Sequence, residues 1–195
     1  MRDRARNLMF IAIVLAISGC HPNANRQQSA TTRAVRHDQS VTSHDSTIAF
    51  SSPRDGFALR YPNQWTAQPS NDFVLELHRC GSSATISMDV PSLPPHLPGM
   101  IRLSLVENGF LDDLKKATTN LRTLEKTDVT VPDAQARRVV TSWSKDHTEF
   151  RQSAILMIHA DRVYILRATA PADQFDATAR ELDDVLKSLT WTNRR

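Results

Sequence analysis

The chain has 195 residues, enough for one domain of ordinary size and a flanking segment. Its formal net charge is +3, but three arginines and one aspartate lie within the first nineteen residues, and removing them lowers the charge to +1. So small an excess excludes a strongly basic nucleic-acid-binding surface, and five glycines leave little material for phosphate-binding loops.

The first element is a short apolar run, Leu8 to Ser18, that follows Arg2, Arg4 and Arg6. A basic segment, an apolar run and small residues in this order are typical of a secretory signal. The run is much shorter than the roughly 20 residues of a membrane-spanning helix, so an uncleaved anchor helix is the less favoured alternative.

The end of this run, Ile17-Ser18-Gly19-Cys20, resembles the lipobox of bacterial lipoproteins, with Ile17 where leucine is usual. The resemblance implies that residues 1–19 are a cleaved signal peptide and that Cys20 carries the lipid. His21 follows Cys20 where an aspartate would favour the inner membrane of enteric bacteria. We therefore expect a lipid-anchored protein on the periplasmic side of the cell envelope, at the outer rather than the inner membrane.

Residues 20–47 are predicted to form a disordered, flexible tether behind the anchor. After Cys20 they include two valines and no other large apolar side chain, too few to offset the entropy of ordering. His21, His37 and His44 lie here, and we interpret them as solvated side chains rather than metal ligands.

From Ile48 onward the hydrophobic pattern predicts regular structure. Alternation predicts strands over Phe57–Tyr61, Phe73–Cys80, Ala84–Val90, Arg122–Val131, Gln135–Ser144, Glu149–Ala160 and Val163–Ala168, and spacings of three and four predict helices over 103–117 and 175–189. Consecutive hairpins without βαβ alternation predict one α+β domain, residues 48–195, with a mainly antiparallel sheet.

Two segments of this domain resemble the Mog1/PsbP-like superfamily. One is Asp55–Trp65 (DGFALRYPNQW), and the other is Val163–Pro171, which leads to a closing helix ending in Ser-Leu-Thr-Trp at 188–191. The superfamily includes PsbP, Mog1 and bacterial lipoproteins of the PsbP/DcrB type. The resemblance implies an antiparallel sheet covered by helices in an αβα sandwich; a photosystem or GTPase-binding role would be analogy from the fold alone.

The aromatic side chains of these motifs favour a structural role over ligand stacking. We expect Tyr61 and Trp65 to pack beneath the final helix and Trp191 to close the same core at its edge. Trp143 lies on a predicted strand, whose face the sequence does not assign.

Cys80 has no partner within the chain if Cys20 is lipidated. Free cysteine is among the most buried residue types, so we expect a buried thiol, with an intermolecular disulfide as the alternative.

Nothing in the sequence matches a catalytic or metal-binding motif. His78 and His159 lie on strands and could hold a metal across a sheet, although packing or surface positions are favoured. The pairs Asp112-Asp113 and Asp183-Asp184 are interpreted as solvated helix faces. Arg137 and Arg138 alternate across a strand, so at most one faces solvent and the other lies near an edge; a charged solvent face is favoured, with a phosphate or acidic partner as the alternative.

The proline-rich segment 91–98 is the best candidate for a recognition loop, and a rigid connector is its alternative. We therefore predict a non-enzymatic binding or assembly module, anchored in the membrane through its lipid, with an envelope protein as partner. A periplasmic protein that binds a small ligand or a metal is the alternative, and an enzyme is the least favoured function. No cofactor, bound metal or nucleic acid is expected.

Overall fold

A computed structural model describes residues 47–92 and 102–192. The predicted signal peptide 1–19, Cys20 and nearly all of the predicted tether lie outside the described residues. So does most of the proline-rich segment, of which Pro91 and Ser92 are described.

The described chain forms ten strands and two helices. In chain order they are β1 Thr47–Ser52, β2 Phe57–Pro62, β3 Trp65–Gln68, β4 Leu75–Arg79, β5 Thr85–Asp89, α1 Leu103–Ala117, β6 Thr119–Asp128, β7 Gln135–Lys145, β8 Thr148–His159, β9 Arg162–Pro171, α2 Phe175–Lys187 and β10 Thr190–Trp191. Neither helix is long and apolar enough to cross a membrane.

The strands form two antiparallel sheets. The larger has seven strands in the order β3-β4-β5-β9-β8-β7-β6, and the smaller has the order β1-β2-β10. The predicted α+β domain with a mainly antiparallel sheet is therefore confirmed.

Tight turns set the register of β7, β8 and β9. Asp146 and His147 connect β7 to β8, and Ala160 and Asp161 connect β8 to β9; all four have positive φ, between 46° and 63°. Two-residue turns with both φ values positive match the natural twist of a hairpin. The pairing then runs without a shift from Lys145–Thr148 to Gln135–Ile158.

The larger hydrophobic core lies on one face of the seven-stranded sheet. Leu77, Ile86 and Leu166 point from that face towards Leu182 and Val185 of α2, and all five side chains are fully buried. The apolar side chains of β2 complete this core, so the smaller sheet and α2 share one side of the larger sheet.

A second core lies on the opposite face, beneath α1. Val139, Leu156 and Val163 pack there against Val106 and Phe110 of the helix. Because successive side chains of a strand point to opposite faces, β7, β8 and β9 each contribute to both cores. The two helices therefore cover opposite faces of the larger sheet.

Three short strands were not predicted from the sequence. They are β1, β3 and β10, and β10 has only two residues, which pair with Ala58 and Phe57. β3 and β10, with four and two residues, carry too little periodicity to be recognised, and the hydrogen bonds of β10 depend on where the distant strand β2 lies.

Candidate functional site

Five polar side chains lie next to one another on the sheet face that α1 partly covers. They are Thr141 on β7, Gln152 on β8, Arg167 and Thr169 on β9, and Ser87 on β5, and we call them the polar band. Thr141 lies opposite Gln152, Gln152 lies opposite Thr169, and Arg167 lies opposite Ser87. Directly opposed residues on one face of a sheet are side-chain neighbours. The band therefore crosses four adjacent strands.

Three members of the polar band are buried with unsatisfied hydrogen-bonding atoms. Thr141 is 0 % exposed, Gln152 4 % and Arg167 8 %. Gln152 Nε2 donates to Thr169 Oγ1 at 2.9 Å, and Arg167 Nε donates to Ser87 Oγ at 3.1 Å. Among the described residues, Thr141 Oγ1, Gln152 Oε1 and Arg167 Nη2 have no partner. Buried polar groups are ordinarily paired, so this concentration marks the band as the candidate site.

Arg167 is the buried positive charge of the band. Its guanidinium lies over the ring of Phe73, with the central carbon 4.4 Å from the ring centroid. Burial lowers the pKa of Arg167, while the negative charge of Asp89 acts in the opposite direction. Arginine nevertheless remains protonated in proteins. Among the described residues, the contacts of the guanidinium are the hydrogen bond to Ser87 and the face of the Phe73 ring.

Asp89 lies on the same face of β5, two residues after Ser87, and is also buried. Burial raises the pKa of Asp89, and the charge of Arg167 and the backbone N–H of Val90 act against that rise. The raised pKa means that loss of solvation outweighs these favourable contacts. The charges of Asp89 and Arg167 therefore act on each other without an ion pair between them among the described residues.

An aromatic pair lies beside the polar band on the same face of the sheet. Trp143 and Phe150 lie opposite each other on β7 and β8, with ring centroids 6.2 Å apart and an interplanar angle of 15°. They are 3 % and 7 % exposed. This places Trp143 on the α1 face and gives the band an apolar wall.

An open groove of about 460 Å³ lies between α1 and β6 on the same side of the sheet. Leu111 and Lys115 of α1 line it together with Leu121 and Thr123 of β6. Thr123 is the register partner of Thr141. The groove is therefore one strand away from the polar band.

Arg137 and Arg138 point to opposite faces of the sheet, as their alternation predicts, but both form ion pairs within the domain and do not make a free charged solvent face. Arg137 donates to Glu107 of α1 and to Asp128 of β6, at 2.9 and 2.7 Å, whereas Arg138 pairs with Asp183 of α2. Adjacent strand residues point to opposite faces, so each arginine attaches a different helix to the sheet.

Of the two aspartate pairs predicted to be solvated, the pair on α1 lies at the surface, whereas the pair on α2 is partly engaged with the sheet. Asp112 is exposed, and Asp113 forms an ion pair with Lys116 one turn along α1. Asp184 is exposed and pairs with Lys187, whereas Asp183 is half-buried against Arg138. Asp183 therefore attaches α2 to the sheet, and the prediction that it is solvated is corrected.

His78 and His159 do not come together. β5 and β9 lie between their strands in the sheet, His78 contacts Glu76, and His159 stacks on Trp191 with ring centroids 4.1 Å apart. Within residues 47–92 and 102–192, no group of three or more His, Cys, Asp or Glu side chains could hold a metal ion.

The motif aromatics pack as predicted. Trp65 is 1 % exposed, and its Nε1 donates to Glu181 of α2 at 2.8 Å. Tyr61 lies in the same core. Trp191 contacts Tyr164 and donates to the Pro132 carbonyl at 2.7 Å, which closes the core at its edge.

Cys80 is exposed, so the expectation of a buried thiol is wrong. It directly follows the last residue of β4 and precedes Gly81, whose φ is +71°. The chain turns here, which carries the cysteine side chain away from the core that Leu75 and Leu77 enter.

We expect the Cys80 thiol of the folded chain to react with a maleimide at a rate close to that of the urea-unfolded chain. An exposed thiol needs no unfolding to meet the reagent. Mass spectrometry of the modified full chain measures the rate, and Cys80→Ser is the control that loses this modification. Modification of Cys80 only after unfolding would contradict the exposed position.

The polar band was not identified from the sequence. Its signal was present as polar residues at alternate positions in apolar strands: Thr141 between Val139 and Trp143, and Arg167 between Ile165 and Thr169. That pattern is equally typical of a solvated sheet face. Only strand order and burial distinguish the two.

Comparisons with known proteins agree on one fold. A family model described as DcrB matches residues 58–188. The solution structure of cyanobacterial PsbP (CyanoP) from Synechocystis has a TM-score of 0.60 and 13% identity, over 80% of this chain and 98% of that chain. LpqN from Mycobacterium tuberculosis, described as involved in cell envelope biogenesis, has a TM-score of 0.54 and 15% identity, over 77% of this chain and 88% of that chain.

A third solved structure, from Bacteroides thetaiotaomicron, has a TM-score of 0.55 and 14% identity. The match covers 74% of this chain and 48% of that longer chain. At these identities the neighbours show the shared fold alone. No curated protein sequence matches the chain.

Proposed function

The chain belongs to the DcrB family, and on this premise we propose that it is a lipid-anchored protein of the bacterial cell envelope that acts as a non-enzymatic binding or assembly module. The observation that carries the proposal is the order of its parts. A signal-like run ends at Cys20, a polar tract follows, and a folded domain begins at β1.

The proposed anchor is a lipid on Cys20, which becomes the first residue of the chain when residues 1–19 are cleaved. A single acyl chain holds a protein to a membrane only marginally, and two or more hold it stably. The lipobox-like ending implies such a multiple anchor. We propose that residues 21–46 then act as a tether, whose typical span is about 30 Å for a flexible chain of this length.

The envelope location has support from the fold family as well as from Cys20. One structural neighbour is described as involved in cell envelope biogenesis. His21 after Cys20 favours the outer membrane over the inner membrane. We therefore propose attachment to the periplasmic side of the outer membrane.

A binding role agrees with how the described titratable side chains are used. Glu107, Arg137 and Arg138 attach helices to the sheet, and Glu181 accepts a hydrogen bond from Trp65. These groups serve the packing of the domain, whereas the polar band offers unsatisfied hydrogen-bonding atoms to a ligand. That observation keeps small-ligand binding as the second candidate function.

We expect Cys20→Ser to abolish lipid labelling and membrane attachment of the full chain. Removing the thiol removes the atom that accepts the lipid, and the other cysteine, Cys80, follows His78-Arg79 rather than a lipobox-like pair of small residues. Cells expressing the chain are fed an alkyne analogue of palmitate, and labelling and membrane fractionation are measured.

Cys80→Ser is the matched control for this experiment, because it also removes one thiol and should label like the wild type. Equal labelling of Cys20→Ser and the wild type would show that Cys20 is not the anchor. Separation of inner and outer membranes on a density gradient tests the proposed outer-membrane position.

The binding role is tested by crosslinking in cells. The full chain is compared with a chimera in which residues 1–47 carry an unrelated folded domain. We expect an envelope protein to be crosslinked to the full chain and absent from the chimera. Identical crosslinked proteins in both samples would show that the domain has no partner of its own.

A further inference from the structure

We propose that β1 is a docking edge for a second copy of this chain. The two β1 strands pair antiparallel about a two-fold axis at Ala49, and the smaller sheets of the two copies then form one sheet of six strands. This surface is separate from the polar band, and its partner is a protein strand.

β1 is the least protected of the sheet edges in the described chain. The edges are β1 and β10 of the smaller sheet and β3 and β6 of the larger. An exposed edge is a template for another strand unless it is short, charged or interrupted by bulges. β10 and β3 have two and four residues, and β6 contains Arg122, Glu125, Lys126 and Asp128 and has two register shifts. β1 has none of these protections.

The composition and pairing of β1 are those of a regular, uncharged strand. It is six residues long and has the sequence TIAFSS, with no charged residue, proline or glycine. Its register with β2 runs unbroken from Thr47–Pro62 to Ser52–Phe57. A groove of about 340 Å³ lies against Ala49 and Ser51. The described chain therefore leaves β1 accessible to another strand.

Ile48 is the exposed apolar side chain of this edge. It lies opposite Tyr61, and Phe50 lies opposite Leu59, so Ile48 and Phe50 are on the face of the smaller sheet that turns to the core. Phe50 packs against that core, whereas Ile48 is 42% exposed. A strand added beside β1 extends this face and covers Ile48.

The sequence of β1 suits pairing with itself. A two-fold axis at Ala49 places Ile48 opposite Phe50 of the second copy, and the axis repeats this apolar contact. It also places Thr47 opposite Ser51, both on the outer face. Directly opposed residues on one face of a sheet are side-chain neighbours, and like charges there are destabilising. Because β1 has no charge, its own copy meets no such repulsion.

The neighbouring strand does not oppose this pairing. Arg60 is the charged residue of β2, and its Nε donates to Thr47 Oγ1 at 2.9 Å. In the six-stranded sheet, three strand spacings of about 4.8 Å separate the backbones of the two Arg60 residues. That separation of roughly 14 Å exceeds the screening length of about 8 Å at physiological salt.

The proposed tether favours a second copy as the occupant. The chain outside the described domain reaches it at Thr47, the first residue of β1. In the paired strands the two Thr47 residues lie four residues apart, or about 14 Å along the strand. Each tether spans about 30 Å, so both copies can be anchored in one membrane.

Anchoring is what makes so small a contact effective. Five residues a side is far fewer than the roughly 20–30 a side of a stable interface, so we expect weak association in free solution. Confinement of both copies to one membrane raises their effective concentration. This step rests on the proposed lipid anchor, whereas the assignment of β1 as the docking edge does not.

The test is cysteine crosslinking of the full chain in cell membranes, in a Cys80→Ser background. Ala49→Cys places two thiols at the two-fold axis, where opposed Cα atoms are about 4.5–5.5 Å apart, within the range of a disulfide. Ala67→Cys is the matched control, because Ala67 is also an exposed alanine on an edge strand, β3. After mild oxidation, non-reducing electrophoresis should show at least about tenfold more dimer for Ala49→Cys.

Two further variants test the register and the apolar contact. A mixture of Thr47→Cys and Ser51→Cys chains should crosslink more than either chain alone. Ile48→Lys in the Ala49→Cys chain should reduce the dimer at least about tenfold, since lysine on an edge opposes strand pairing. Leu124→Lys is its control, because Leu124 is also exposed but lies on β6, and it should leave the dimer unchanged.

Four results overturn the proposal. They are no dimer from Ala49→Cys, equal dimer from Ala67→Cys, a dimer that Ile48→Lys does not reduce, and crosslinking of Ala49→Cys to a different protein, which mass spectrometry identifies. Palmitate labelling of the same membranes separates this proposal from the anchor. Labelled chains without a dimer refute the docking edge alone, and a dimer of unlabelled chains refutes the anchor alone.

Discussion

Trp65→Ala is expected to lower the free energy of unfolding by about 3–5 kcal/mol, the range for truncating a buried tryptophan to alanine. Trp65 begins β3 at the edge of the larger sheet and is 1 % exposed. Its ring fills the space between that edge and α2, so truncation leaves a cavity that neighbouring side chains fill only in part. Urea unfolding followed by circular dichroism measures the change.

A second variant separates the volume of Trp65 from its hydrogen bond. Trp65→Phe keeps an aromatic ring and loses the N–H that donates to Glu181. Glu181 still accepts from Arg79 and Gln64, at 2.8 and 2.9 Å, so its carboxylate stays paired. We therefore expect Trp65→Phe to cost clearly less than Trp65→Ala. Equal losses in the two variants would contradict a role dominated by packing.

Glu107→Gln is expected to lower the free energy of unfolding by about 1.5–3 kcal/mol at pH 7, the range for hydrogen bonds that involve a charged group. The Glu107 side chain is 6% exposed and accepts from Lys126 at 2.5 Å and from Arg137 at 2.9 Å. These bonds attach α1 to β6 and β7. Glutamine keeps the size of the side chain and removes its charge.

The same contacts make this stabilisation depend on pH. The hydrogen bond from Lys126 is the largest cause that lowers the pKa of Glu107, and it acts with Arg137 against burial, which raises that pKa. A folded-state pKa below the unfolded value means that the stabilisation is present above about pH 4.5 and is lost as the pH falls below it. The difference between wild type and Glu107→Gln should shrink over that range.

Urea unfolding of wild type and Glu107→Gln at pH 7 and in steps below pH 4.5 measures this difference. Asp113→Asn is the control, because its ion pair with Lys116 lies on the surface of α1 and should contribute little at either pH. A constant difference across the whole range would contradict the assigned ion pairs of Glu107.

The long elements of the domain were accessible to sequence reasoning because each carries its own periodicity. α1 coincides with the predicted helix over 103–117, and β7, β8 and β9 lie within a few residues of the predicted strands. The stripe from Phe175 to Leu189 likewise predicted the face that α2 packs against the sheet. In these segments the side chains that are apolar by periodicity are also the ones buried in the fold, so the periodicity predicts the burial.

The environments of single residues at strand ends and sheet edges were harder to predict, since they depend on distant parts of the chain. Cys80 has an apolar character that suggests burial, yet the turn at Gly81 exposes it. Arg137 and Arg138 look like a surface patch, yet helices more than twenty residues away supply their partners.

The sequence by itself determined the fold class, the order of the long elements and the packing of Trp65 and Tyr61 beneath the last helix. These follow from hydrophobic periodicity and from motifs that resemble those of a known superfamily. Only the tertiary structure decided that Thr141, Gln152 and Arg167 form one buried band. The sequence separates them by up to 26 positions, and the order β9-β8-β7 makes them neighbours. Burial of their polar atoms is a property of that assembled face and of no single strand.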